Sequence, residues 1–183
     1  MLNKLEMEII MLDLSSKNIE LFCVADTKID ESIKAINYCL KNTKFKSVKL
    51  LTSKKNFKNL DSQIQIIKIK PISTIQEYSR FMIFDAINYV DTNYILTIQY
   101  DGIIVNPKKW TNEFLKYDYI GGPWQNQVVG NSGFCLRSKR FLKTVIDNSK
   151  ILKKGYFPDD VILSRLETKK ALMRFGIKYA PYE

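Results

Sequence analysis

The apolar positions of the chain fall into short continuous runs and longer runs with a spacing of three and four, which is the alternation of strands and helices. Ile19 to Asp26 (IELFCVAD) is an apolar run rich in strand formers that ends on a polar turn, as a buried parallel strand does, which places Asp26 at the carboxyl end of a strand. From Asp30, the run DESIKAINYCLKN places Ile33, Ile36 and Leu40 on one side, with acidic residues in its first turn, and predicts a crossover helix. Two further strands are expected over Ser47–Leu51 and Gln63–Ile69, the latter closed by Pro71. A long helix is expected from Ser73 or Thr74 to Val90, with Thr74 and Glu77 spaced as a capping box. Tyr94–Tyr100 (YILTIQY) reads as a central strand that runs into Asp101-Gly102. This order predicts an α/β fold: an open, mostly parallel, Rossmann-like sheet flanked by helices.

Glycine then shifts the picture. All seven glycines lie from Gly102 onward, five of them between Gly102 and Gly133, so close backbone approaches concentrate in the second half. Ligands of open α/β sheets gather at the carboxyl ends of the strands, which places the expected site around Asp101 and the segments after it.

Length and composition limit the rest. A chain of 183 residues, 45% hydrophobic and without a Pro/Gly/Ser-rich linker, is expected to form a single domain. It has no apolar run of about 18 residues, and Glu6, Glu8 and Asp13 interrupt the first stretch, unlike a signal peptide; a cytoplasmic location is expected. Cys23, Cys39 and Cys135 are odd in number, far apart and set among apolar residues, which fits buried thiols better than a disulfide framework. There is no histidine, which excludes Ser/His/Asp and Cys/His triads and imidazole zinc sites and leaves proton transfer to carboxylates, Tyr or Lys. The net charge of +10 favours anionic partners, whether phosphates, nucleic acid or an acidic membrane surface at which the protein could sit peripherally.

Four segments could carry chemistry: Gln99–Gly102 (QYDG), Asp118–Trp124 (DYIGGPW), Gly130–Arg137 (GNSGFCLR) and Pro158–Val161 (PDDV). Each has a plain structural reading: an Asp before Gly starts a turn, Gly-Gly-Pro shapes a loop, and paired Asp residues open a helix. Together they suggest more. A pyrophosphate needs neutralising, and a hard divalent cation on a carboxylate does this; Asp101 is the expected ligand, with Gly102 leaving room beside it and Arg80 available to pair with Asp101 or a phosphate. Asn131 and Ser132, in a loop with Gly133, offer hydrogen bonds to sugar hydroxyls. Trp124 either stacks on a sugar or plugs the loop. Either Asp159 or Asp160, at the start of a helical run, can act as general base.

On these four motifs the stretch from about Tyr78 to Glu183 resembles a family of uncharacterised glycosyltransferase-like domains. That family carries QxDG or QxDS, DYIGAPW, GNGGFSLR and an EDV-type acidic pair in this order. Tyr78-Ser79-Arg80-Phe81 is also similar to the YxRF that precedes the metal strand in other GT-A glycosyltransferases. The resemblance implies a GT-A fold, a nucleotide-diphosphate-sugar donor, a glycan or lipid-linked acceptor and Mn²⁺ or Mg²⁺ at Asp101. It implies a nucleotide-binding half over about 17–102 and an acceptor-side half over about 103–183, the latter shorter than in family members that continue past this point. By the same resemblance Ala25, Asp26 and Thr27 face the base and ribose, Gln99 and Gly102 line the donor site, Asp160 is the base of an inverting transfer, and Asp159 orients the acceptor. Gln99 stands where GT-A enzymes usually have a second acidic metal ligand.

Two other classes compete. A non-catalytic nucleotide-sugar or glycan-binding relative would keep the fold and lose the chemistry. A basic nucleic-acid-binding module would explain the charge, but no RNP, KH or zinc pattern is present, so nucleic acid is not the expected partner.

Overall fold

The computed structural model describes residues 11–124, 129–152 and 157–181. The interrupting charges Glu6 and Glu8, the basic pair Lys153-Lys154 and the terminal Tyr182-Glu183 lie outside the described residues.

Strands β2 (Ile19–Val24), β4 (Val48–Thr52), β5 (Ile64–Lys68), β6 (Tyr94–Ile98), β7 (Tyr119–Pro123) and β8 (Val129–Ser138) form one sheet in the order β5-β4-β2-β6-β8-β7. The first four are parallel, and β8 runs antiparallel to both β6 and β7. Two short strands missed by the sequence pattern, β1 (Leu12–Asp13) and β3 (Thr43–Lys44), pair beside it. At two residues each they are too short to show a periodicity.

The apolar runs are continuous because the sheet is covered on both faces. Phe22, Val24, Leu51 and Ile95 point into one core, shared with Met82, Phe141 and Leu163 of the later helices. Leu21, Cys23, Leu50 and Ile98 point into the other, shared with Ile33, Ile36 and Cys39 of helix α1 (Ile29–Leu40). The three cysteines are buried and free.

The expected long helix is a composite. Helix α2 (Ile75–Arg80) starts with the capping box: Thr74 Oγ1 accepts from the Glu77 N–H at 3.1 Å, and Glu77 accepts from the Thr74 N–H at 3.0 Å. It then widens into a π turn over Phe81–Asp85 and tightens into a 3₁₀ turn over Ala86–Tyr89. Phe81, Met82 and Ile83 are all buried, and three consecutive side chains span too wide an arc for one face of a straight α-helix. Changing the winding brings them inward together.

A second correction concerns Gly130–Gly133. This stretch is not a loop but the amino-terminal half of β8. Gly121 pairs with Cys135 whereas the next residue, Gly122, pairs with Asn131, so Ser132–Phe134 are extra residues on β8 and form a bulge. A Cβ on Gly121 would lie 2.5 Å from the Asn131 carbonyl oxygen, so only glycine permits this approach. Helices α3 (Lys139–Asp147), α4 (Asp159–Ser164) and α5 (Leu166–Met173) complete the face that also carries α2.

Candidate functional site

The chain leaves β2 through α1 towards β4 and later returns to β6 on the other side, so the strand order reverses between β2 and β6. Such a reversal opens a crevice at the carboxyl ends of the strands. Here it holds a cavity of about 250 Å³, lined by Ala25, Asp26 and Thr27 after β2, by Thr74, Ile75 and Tyr78 of the α2 segment, and by Gln99 and Tyr100 after β6.

Asp26 is a buried cross-brace at the floor of this cavity. Its Oδ1 accepts from Thr52 Oγ1 at 2.8 Å and the Ser53 N–H at 2.6 Å, while Oδ2 accepts from the Ile72 N–H at 2.6 Å. One carboxylate thus ties the ends of β2, β4 and β5 together. Burial raises its pKa, but the hydrogen bonds from Ile72, Ser53 and Thr52 outweigh this and hold it below the ordinary carboxylate value. Ala25 and Thr27 flank it and present the more accessible surface.

The motifs separated in sequence meet along this edge. The Gln99 N–H donates to the Gly133 carbonyl at 2.9 Å, and a Cβ on Gly102 would sit 2.8 Å from the same oxygen. The Gln99 side chain donates to Tyr78 Oη at 3.1 Å, joining α2 to the strand end. Asn131 is exposed, and its side chain accepts from the Gly133 N–H at 2.9 Å. Ser132 is buried in the bulge, with its backbone N–H close enough to the Asp160 carboxylate to favour its charged form. Trp124 is half-buried, with its ring 3.4 Å from where a Cβ of Gly130 would lie, so it packs beside the start of β8. Asp101 is exposed at the end of the β6 segment.

The two neighbouring carboxylates on α4 have different environments. Asp160 is half-buried, and burial pushes its pKa up, reinforced by the charge of Asp159 and opposed by the Val161 and Ser132 N–H groups. A half-buried carboxylate of raised basicity is a chemically suitable proton acceptor. Asp159 is only 3% exposed, and this corrects its expected contact with an acceptor. It forms an ion pair at 3.2 Å with Arg137, which is fully buried, and its N–H donates to Ser79 Oγ at 3.1 Å. Arg137 Nε and Nη1 have no hydrogen-bond acceptor among the described residues. Asp159 therefore neutralises a buried cation and anchors α4 to β8 and α2.

Arg80 also departs from expectation. It pairs with Asp85 at 3.0 Å and lines a separate depression with Glu77, Phe81 and Tyr89, which Asp101 does not line. The expected divalent cation fares no better on the donor set. Asp101 offers one exposed carboxylate, Gln99 is neutral and engaged with Tyr78, and among the described residues no three His, Cys, Asp or Glu side chains cluster as metal ligands. These residues do not fit a resident Mn²⁺ or Mg²⁺.

Sequence reasoning assigned no role to Lys28, Tyr78 or Arg137. Lys28 Nζ lies 3.7 Å from the centroid of the exposed Tyr100 ring at the mouth of the cavity. A lysine at a strand-to-helix junction has no local pattern to mark it. Arg137 carried a usable signal, since a cation between Leu136 and a strand-ending Ser138 has to find a buried partner. No helix among the described residues is long and apolar enough to cross a membrane.

Among solved structures, the chain is similar to the bifunctional IspDF from Campylobacter jejuni, with 11% identity, a TM-score of 0.50, and coverage of 91% of this chain and 50% of that one. It also aligns with the glycosyltransferase GlyE of Streptococcus pneumoniae TIGR4 at 14% identity and TM-score 0.48, covering 89% of this chain and 44% of that one. A cytidylyltransferase from Leptospira borgpetersenii aligns at 14% identity and TM-score 0.45, covering 94% and 77%. The chain spans about half the length of the first two. The likeness to IspDF supports the single α/β domain with a mostly parallel sheet and extends no further than the fold. No protein of curated function matches the sequence. Residues 61–182 match the family described as "Protein of unknown function (DUF5672)", and the chain belongs to that family.

Proposed function

We propose that the protein is a glycosyltransferase that binds a nucleotide-diphosphate-sugar at the β2/β6 crevice and transfers the sugar to a hydroxyl of a glycan or lipid-linked acceptor. The observation that carries this reading is the half-buried Asp160 on α4, which packs beside the β8 bulge that Gly102 and Gln99 also touch, so that the Ser132 N–H bears on its carboxylate. Donor cavity and proton acceptor thereby share one sheet edge. Ile72, Ile75 and Tyr100 supply apolar surface for a base, and Ala25, Thr27 and Asp26 border it from the β2 side.

In the proposed transfer, the acceptor oxygen attacks the anomeric carbon while Asp160 takes its proton. The new C–O bond forms as the bond from that carbon to the diphosphate oxygen breaks, and the electron pair leaves with the nucleoside diphosphate. Attack opposite the leaving group inverts the anomeric centre. Asn131 and Trp124 are the groups proposed to contact the sugar, while the buried Ser132 shapes the bulge that presents them. Asp101 is proposed to border the diphosphate.

The test is a thermal-shift panel of UDP-, GDP-, CMP- and dTDP-sugars, followed by measurement of donor turnover. Stabilisation by one donor and loss of turnover in Asp160→Asn with donor binding retained are the expected results. Stabilisation without turnover in the parent would favour the non-catalytic binding relative. No stabilisation by any donor would remove the reading.

A further inference from the structure

Lys28 combines two locally unfavourable features. It is a non-glycine residue at φ 50°, in the left-handed region that side chains rarely adopt, and it sits as N-cap of α1 without making a side-chain capping hydrogen bond. A cation there also faces the positive end of the helix dipole, where a carboxylate or hydroxyl residue would be favoured. Folding alone does not call for a lysine at this position. Its ammonium reaches across the mouth of the crevice to the Tyr100 ring, and Tyr100 and the adjoining Thr27 both line the cavity.

The acidic side of the site lacks what a metal-dependent donor site needs. Asp101 is a single exposed carboxylate, and the Gln99 side chain is committed to Tyr78. A diphosphate entering this cavity still has to be neutralised. We infer that Lys28 supplies the counter-charge for the donor's diphosphate in place of a resident divalent cation, swinging from the Tyr100 face onto the phosphate oxygens. This rests on the donor reading above and makes donor binding independent of metal. Tyr100 would hold the ammonium at the crevice mouth in the free protein and be released to stack or pack when the anion arrives.

The experiment titrates ADP, GDP, UDP, CDP and dTDP, each with its matching nucleoside, in EDTA and again with Mn²⁺ or Mg²⁺. The parent should bind one diphosphate in EDTA. Lys28→Ala should weaken it by about 10–100-fold, the range for a charge-assisted hydrogen bond, with the matching nucleoside unaffected. Lys28→Arg should restore part of the loss, and Lys34→Ala, which removes an exposed charge from the same helix, should leave affinity near the parent value. The salt dependence of diphosphate binding should also flatten in Lys28→Ala. Diphosphate binding that vanishes in EDTA, or that Lys28→Ala leaves unchanged, would overturn the inference while sparing the donor reading. If none of the five diphosphates binds, both fall together.

Discussion

Removing the Asp159 side chain should unfold the protein more readily because it would strand a charge in the interior. Arg137 is fully buried, and its ion pair with Asp159 at 3.2 Å is the charged contact that compensates it. Its Nε and Nη1 have no hydrogen-bond acceptor among the described residues, so no second acceptor stands ready to take over. Breaking a buried pair by removing one partner costs about 3–5 kcal/mol. For a chain of this size each kcal/mol lowers Tm by roughly 2–4 °C, so Asp159→Ala should melt about 6–20 °C below the parent. Urea unfolding followed by circular dichroism gives the same quantity at constant temperature. The double variant Arg137→Met with Asp159→Ala removes both charges and should recover a large part of the loss, because an apolar side chain needs no partner. An Asp159→Ala protein with unchanged Tm and urea midpoint would refute the assignment. So would loss of turnover at full stability, which would return Asp159 to a role at the acceptor.

Asp160→Asn should abolish turnover while leaving Tm equal or higher. A carboxylate whose pKa is raised on folding costs stability as pH rises from the unfolded value of 3.8 through its folded value, and the neutral amide escapes that cost; the gain should lie within the about 0.5–2 kcal/mol typical of relieved functional sites. A lower Tm with turnover intact would contradict both halves of the assignment. Asp26→Asn should be less stable than the parent at neutral pH, because its depressed pKa means stability that is fully present above 3.8 and is lost as pH falls through the lower folded value. Urea midpoints of the two proteins should therefore converge in acid, and a constant gap would argue against the cross-brace. Gly121→Ala should cost about 1–3 kcal/mol in urea unfolding, since its Cβ meets the Asn131 carbonyl at 2.5 Å; an unchanged midpoint would mean the bulge yields freely.

The sequence by itself determined the identity of the elements that carry a strong local period. The runs at Ile19, Val48 and Tyr94 are strands because both faces of the sheet are buried there, while the edge strand at Ile64 is only partly covered. The Thr74–Glu77 box was legible for the same reason: both partners lie within one turn. The motifs also pointed to one sheet edge, because Gln99–Gly102 follow a central strand directly. Only the tertiary structure decided what each polar side chain faces. Arg137 and Asp159 are 22 residues apart, Asp26 reaches Ile72 across three strand ends, and Lys28 meets Tyr100 across the strand reversal. Asp159 and Asp160 are adjacent and chemically identical in sequence, yet the step of about 100° between them on the helix buries the first against a cation and leaves the second half-buried. Local periodicity records which face of an element is dry. Desolvation and pairing of a given carboxylate depend on strands brought together from distant parts of the chain, and that information exists only once the sheet has closed its order.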